Sequence, residues 1–237
     1  MILYGIHPVR QALETTPAKI QRIVVARGKS SARLQEIIDQ ARSLRVPVQF
    51  EPLPALDRKS GRARHQNVLA EMTPTSLMSL EEILTTNPTR LLIADGVEDP
   101  RNLGALLRTA EAAGVEGVLL PARHSAGITP VVVQSSAGAA LNLKAGRMSN
   151  TVRTLEQLKD AGFWSVGLDM RGSENAGPLD RSLQWVIVVG GESRGLRPLV
   201  RRHCDFLLRL PMLGKVESLN LSVAAGILMY RLLPESE

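Results

Sequence analysis

The hydrophobic pattern changes character along the chain. Ile20–Val25 is an apolar run of strand length. Ser31–Leu44 sets Leu34, Ile37, Ile38, Ala41 and Leu44 at helical spacing, which predicts a helix with one apolar side. Val46–Phe50 and Asn67–Met72 read as further strands. Thr73–Thr89 is polar, contains Pro74 and Pro88, and holds one short helical pattern around Leu80–Leu84, as a domain boundary would. From Arg90 onward apolar runs and helical patterns take turns. Strands are predicted at 90–95, 117–120, 164–168, 185–189 and 205–210, and helices at 102–113, 130–138, 151–161, 196–202 and 218–233. Such alternation implies a parallel sheet covered on both faces. The expected organisation is α/β, with a small α/β domain over 1–72, a linker over 73–89 and a larger parallel-sheet domain over 90–237.

Three segments break the pattern with polar residues. Leu208–Gly226, reading LRLPMLGKVESLNLSVAAG, starts as an apolar strand, stops at Pro211 and enters a helix near Ser218. From there to Leu233 the pattern is apolar almost all round and nearly free of charge until Arg231, which predicts burial in a core or against another subunit. Its first turn nevertheless carries Ser218, Asn220 and Ser222. Polar groups at the mouth of a buried helix are costly unless paired. They cap the helix, with Ser218 as the simplest cap, or they face a polar ligand. Leu91–Pro121 is a strand ending in Asp95-Gly96, a polar turn and an alanine-rich helix. Trp185–Leu196, reading WVIVVGGESRGL, is a strand ending in two glycines and Glu192. In open α/β sheets ligands bind outside the carboxyl ends of strands.

Composition adds charge. The 237 residues carry 29 Lys and Arg against 23 Asp and Glu, a net charge of +6. That balance favours an anionic partner, nucleic acid first. Aromatic residues make up only 3%, which argues against a base-stacking platform. Cys204 is the single cysteine, so neither an intrachain disulfide nor a cysteine metal cluster is expected. No apolar run reaches the ~18 residues of a membrane span, and no signal peptide is visible, so a cytoplasmic protein is expected. A nicotinamide-binding G-x-G-x-x-G and a P-loop G-x-x-x-x-G-K-[ST] are both missing.

The three segments resemble, in order, the three motifs of the SpoU/TrmH family of RNA ribose 2′-O-methyltransferases, within the SPOUT superfamily. Asn102, Gly104, Arg108 and Gly114 match the first motif. Gly190, Glu192 and Gly195 match the second, and Pro211, Met212, Gly214, Val216, Ser218, Leu219, Asn220, Ser222 and Ala224 the third. Tyr4–Leu13, YGIHPVRQAL, looks like the opening of the substrate-binding domain in the bacterial 23S rRNA guanosine subgroup. The resemblance implies a trefoil knot built from the second and third motifs, where sequence physics alone would predict an unknotted doubly wound sheet. It also implies S-adenosylmethionine as cofactor, RNA as substrate (23S rRNA first, a tRNA or other rRNA as the alternative), a homodimer, and no metal. A non-catalytic RNA-binding module is the alternative from another class.

Carried over residue by residue, the resemblance makes Asn102, Arg108, Glu192, Ser218 and Asn220 the candidate catalytic residues. It makes Gly190, Gly191, Leu210, Met212 and Leu219 the candidate cofactor contacts. Each has a plainer reading. Asn102 could cap its helix, Arg108 could pair with Glu98 or Glu111, and Glu192 with Arg194 or Arg197. In this family the matching arginine has been proposed as general base, which is physically difficult because guanidinium pKa exceeds ~12. Phosphate anchoring suits it at least as well. The densest basic run, Arg58 to His65, reads as a flexible Gly/Ser loop whose Arg58, Lys59, Arg62 and Arg64 contact RNA phosphates, or else as a solvated surface. Asn67 stands where the family has glycine and tolerates positive φ better than most residues.

Overall fold

The computed structural model describes residues 1–74, 76–173, 179–192 and 194–232. The end of the last sequence-predicted helix, Leu233, lies outside them. The chain divides into two compact units: Met1–Ser76 with Ile128–Asn142, and Leu77–Gly127 with Leu143–Glu237.

The first unit holds β1 (Ile2–Tyr4), α1 (Ile6–Thr15), β2 (Ile20–Ala26), α2 (Ala32–Ser43), β3 (Val48–Glu51), α3 (Leu53–Lys59) and β4 (Val68–Met72). Its sheet runs β1-β4-β2-β3. The sequence pattern missed β1, α1 and α3. β1 is an edge strand of three residues, and α3 opens on Leu53-Pro54 directly after Pro52, a proline-rich start that hides a helix. The later segment Ile128–Asn142 joins this unit: Gly138, at φ +94°, lies under α1 so closely that a Cβ there would sit 2.2 Å from Cγ of Gln11.

In the second unit α4 (Leu80–Leu84) is followed by β5 (Arg90–Asp95), α5 (Pro100–Ala112) and β6 (Gly117–Pro121). After α6 (Pro130–Ser135), which belongs to the first unit, come β7 (Lys144–Met148), α7 (Thr151–Asp160), β8 (Trp164–Ser173), β9 (Trp185–Gly190), α8 (Pro198–His203), β10 (Phe206–Leu208) and α9 (Leu221–Arg231). The sheet order is β10-β8-β9-β5-β6-β7, and every neighbouring pair is parallel. β7 was not foreseen. Its sequence, KAGRM, has no apolar period, and as the last strand in the order it needs little.

β9 is buried along its whole length, as a central parallel strand covered on both faces should be. Leu91 and Ile93 of β5 join a core with Ile83, Leu155, Leu158, Val186, Val188 and Val200. The intervening Leu92 and Ala94, fully buried, face the other way. There α5 and α9 pack on each other, with Gly226 meeting Thr109. The last helix starts at Leu221, later than the apolar pattern suggests, because Asn220 caps it by accepting the Ser222 N–H. Ala225, Leu228 and Met229 are buried, while Val223, Ile227 and Tyr230 leave an apolar stripe in solvent.

Candidate functional site

The carboxyl ends of β5 and β9 lie side by side, with Asp95 in register with Gly190. Three loops leave this end of the sheet. The first runs from Gly96 into α5. Its helix is capped by Asp99, whose carboxylate accepts the Arg101 N–H at 2.9 Å, with Pro100 filling the first helical position. Asn102 is therefore released from capping. Its Nδ2 donates to Oε1 of Glu192 at 3.0 Å, and its Oδ1 accepts from Nδ2 of Asn220 at 3.1 Å. Oδ1 of Asn220 in turn accepts from the Ser222 amide at 2.9 Å and the Ser222 hydroxyl at 2.6 Å.

These bonds form one directed chain. A carboxylate can only accept, so Glu192 fixes which end of the Asn102 amide faces it, and Asn102 then fixes Asn220. One polar side chain from each of the three motif segments takes part, across sequence separations of 90 and 118 residues. All are solvent-exposed bonds, each worth about 0.5–1.5 kcal/mol, so they define a geometry more than they stabilise the fold. Ser222, a third-motif match that was not among the candidate site residues, is the fourth member.

Arg108 and Ser218 stand outside this chain. Ser218 is exposed in the loop before α9 and does not cap it. Arg108 is exposed on α5, with no ion pair to Glu98 or Glu111 among the described residues. Six helical residues separate it from Asn102, which turns it about 120° away and moves it about 9 Å along the axis. Glu192 does not pair with Arg197, because Arg197 is taken by Asp95.

The glycines of the second motif are closely approached by neighbouring backbone. A Cβ on Gly190 would lie 2.1 Å from the carbonyl carbon of Gly195, and one on Gly191 would lie 2.3 Å from the Gly96 oxygen. They admit neighbouring backbone in the first instance. Beyond them, Leu210, Met212 and Leu219 lie on a loop whose backbone makes no hydrogen bond from Leu210 to Leu219 among the described residues. Lys215 and Glu217 in that loop are exposed. Among the described residues no cluster of His, Cys, Asp or Glu could hold a metal ion, and no helix is long and apolar enough to cross a membrane.

In the first unit the basic run is structured, not a flexible loop. Arg58 and Lys59 end α3. Lys59 is held by Glu51 at 2.6 Å and by Glu71 at 3.0 Å, and Arg22 binds the other oxygen of Glu71. The Glu51 hydrogen bond is the main cause that raises the Lys59 pKa. Arg58, Arg62 and Arg64 are exposed. The turn after them is held by buried His65, whose Nε2 meets Asp57 at 3.0 Å and whose Nδ1 accepts the Asn67 N–H at 3.1 Å. Gln66 and Asn67 both take positive φ, and the Gln66 side chain accepts the first N–H of α1.

Comparison with known proteins gives this arrangement a family. Residues 89–230 match the SpoU rRNA Methylase family, and residues 2–78 match the family described as RNA 2′-O ribose methyltransferase substrate binding. The chain belongs to the SpoU rRNA methylase family. It is 40% identical to a 23S rRNA (guanosine-2′-O-)-methyltransferase RlmB of Pseudomonas putida, over 96% of this chain and 94% of that one. It is 39% identical to the protein of the same name from Pseudomonas aeruginosa, over 98% and 95% of the two chains. Among solved structures, the SpoU methyltransferase AviRb of Streptomyces viridochromogenes, crystallised with AdoMet, superposes with a TM-score of 0.79 at 23% identity, covering 98% of this chain and 89% of that one. At that identity the likeness concerns the fold.

Proposed function

We propose that this chain methylates the 2′-hydroxyl of a guanosine ribose in 23S rRNA, with S-adenosylmethionine as donor. The observation that carries the reading is the directed chain Glu192–Asn102–Asn220–Ser222, which gathers polar groups from all three motifs, two of them from the third, at the carboxyl end of the sheet. The names of the relatives at 40% and 39% identity over nearly the whole chain support the substrate.

When bound, S-adenosylmethionine supplies a methyl group activated on a sulfonium. The proposed cradle is Gly190, Gly191, Leu210, Met212 and Leu219. It fits the cofactor's chemistry, because the Leu210–Leu219 backbone has donors and acceptors that no other described residue takes up, available to an adenine and an amino-acid head. Asn102 and Asn220 each keep a second N–H that their directed bonds do not use, and these orient the ribose. Ser218, on the same loop, completes the polar lining. The transfer would exchange the carbon–sulfur bond for a carbon–oxygen bond, with S-adenosylhomocysteine as leaving group, and the hydroxyl proton would pass to solvent at this exposed site. Arg108 acts by its permanent charge, holding a phosphate or ribose oxygen, since a guanidinium is a poor proton acceptor.

The same proposal includes a homodimer. The exposed stripe of Val223, Ile227 and Tyr230, continued by Leu219, needs cover in water. Because Arg108 faces about 120° away from Asn102 on its own helix, we assign it to the site of the second copy. It also includes the knot, supported by the backbone passages at Gly190–Gly195 and Gly172–Leu207. The proposed catalytic domain is the second unit, Leu77–Gly127 with Leu143–Glu237, which takes in most of the expected 73–89 linker, and the first unit, Met1–Ser76 with Ile128–Asn142, is the proposed RNA-binding domain, acting through Arg58, Arg62 and Arg64. A ribosomal RNA substrate places the work in the cytoplasm.

Calorimetric titration with S-adenosylmethionine tests the cofactor. One saturable site per chain, competed by S-adenosylhomocysteine, is expected. No binding heat and no competition would leave a non-catalytic RNA-binding protein.

A further inference from the structure

Asp95 ends β5 after the apolar residues Leu91–Ala94, and it is 2% exposed. Its two carboxylate oxygens receive a fork from Arg197: Nε at 2.9 Å to one and a terminal nitrogen at 2.6 Å to the other. Thr151, the first residue of α7, closes the group. Its hydroxyl donates to Asp95 at 2.7 Å and accepts from Arg197 at 2.9 Å, so its one proton and one of its two lone pairs are used within the group. The Arg197 side chain is 61% exposed and lies over the buried carboxylate from the solvent side.

The position of this clasp is informative. Glu192 is carried by the segment between Gly190 and Arg197. Gly190 is the register partner of Asp95, and Arg197 is its ion-pair partner. One residue therefore holds both ends of the segment that presents Glu192 to Asn102: its backbone pairs with Gly190 in the sheet, and its buried carboxylate binds Arg197. The glycine approaches at Gly190 and Gly191 press the same segment against Gly195 and Gly96. Fold stability alone gives little reason for a buried ion pair, since well-packed apolar residues of similar volume are often as stable or more so. A bidentate fork does supply orientation, because a guanidinium and a carboxylate meet in one plane and one register.

We infer that Asp95 and Arg197 are positioning residues, which act on the reaction through Glu192 by fixing where its segment closes. This rests on the methyl-transfer reading above. Lysine at position 197 keeps the charge and loses the fork. In R197K the single-turnover methyl-transfer rate should fall about 10-fold or more, as small misplacements of a reacting constellation do. Affinity for S-adenosylmethionine should change far less than the rate. The amide of Gly195, which donates to the Gly191 carbonyl at 2.9 Å, should exchange faster with deuterium in R197K. The double variant E192A/R197K should be no slower than E192A alone, because the lysine substitution acts through a side chain already removed. If R197K fails to fold, T151V removes one strut of the clasp isosterically and should move rate and exchange in the same directions by less. Losses that multiply in the double variant would overturn the inference, as would a wild-type rate with unchanged Gly195 exchange. A wild-type protein without methyl transfer would instead sink the methyl-transfer reading, and the Gly195 exchange would still report on the clasp.

Discussion

The assignment of Asn102 to the site, and not to its helix end, makes a contrast that two variants can measure. Asp99 is the residue that caps α5, and D99A should cost about 1 kcal/mol of stability. N102A removes two side-chain bonds worth about 0.5–1.5 kcal/mol each, toward the low end because water replaces exposed partners. It also gains about 0.5 kcal/mol from the better helix propensity of alanine. The net cost is about 0.5 kcal/mol, so N102A should be at least as stable as D99A. The rates should order the other way. N102A leaves Glu192 and Asn220 without the group that aligns them, and single-turnover methyl transfer should drop about 100-fold. D99A should keep most of its rate. N102D sharpens the contrast: at neutral pH it sets a second carboxylate against Glu192, and it should recover in part as pH falls and a protonated carboxyl can donate again. The assay is methyl transfer at saturating RNA and cofactor, beside thermal unfolding of the same preparations. An N102A enzyme with a wild-type rate, or a D99A enzyme that loses as much rate as N102A, would refute the reasoning.

Other outcomes follow from single groups. R58A/R62A/R64A should lower the slope of log RNA affinity against log salt by ~0.7–0.9 for each phosphate no longer neutralised, whereas K59A should mainly lower thermal stability, since Lys59 is spent on Glu51 and Glu71. An RNA affinity that falls with K59A while unfolding is unchanged would contradict this. Cys204 should resist thiol reagents at pH 8 until the chain unfolds, because burial, with help from Asp205, pushes its thiol up to about 12. Labelling of the native chain at the rate of a free thiol would contradict it. Burial alone would raise the Asp205 carboxyl, but the Ser165 hydroxyl and amide and Lys159 hold it below its usual 3.8. Its contribution is therefore present above that value and lost as pH falls through the lower folded value, so the stability gap between wild type and D205N should shrink in acid denaturation below about pH 4. A gap that stays constant down to pH 2 would refute it.

The α/β class and the parallel sheet were legible because β5, β6 and β9 are buried on both faces and so read as unbroken apolar runs. β7 was illegible for the opposite reason: an edge strand of the form KAGRM carries no burial pattern. The three motif segments stand out as polar residues placed where apolar strands stop. What joins them was not readable, since Asn102 meets Glu192 and Asn220 only after 90 and 118 intervening positions are folded. The fate of Lys59 was hidden similarly, because a basic run shows its charges but not the acids across the sheet. Asp95 carries a signal that went unread: a carboxylate ending LLIA must find a partner if buried, although the pattern does not say that the partner is Arg197. The recruitment of Ile128–Asn142 into the first unit left none, because a short helical pattern of small apolar residues does not say which unit it packs in.

The central claim is the chemistry at the ribose. Purified protein is incubated with a 23S rRNA transcript and S-adenosylmethionine carrying a labelled methyl group, and the RNA is then hydrolysed with alkali. A methyl on the 2′-oxygen blocks cleavage at that nucleotide, so the label should appear in one alkali-resistant dinucleotide whose first nucleoside is 2′-O-methylguanosine. Label recovered only in ordinary mononucleotides, as a base methylation would give, or no label transferred to RNA at all, would contradict the account.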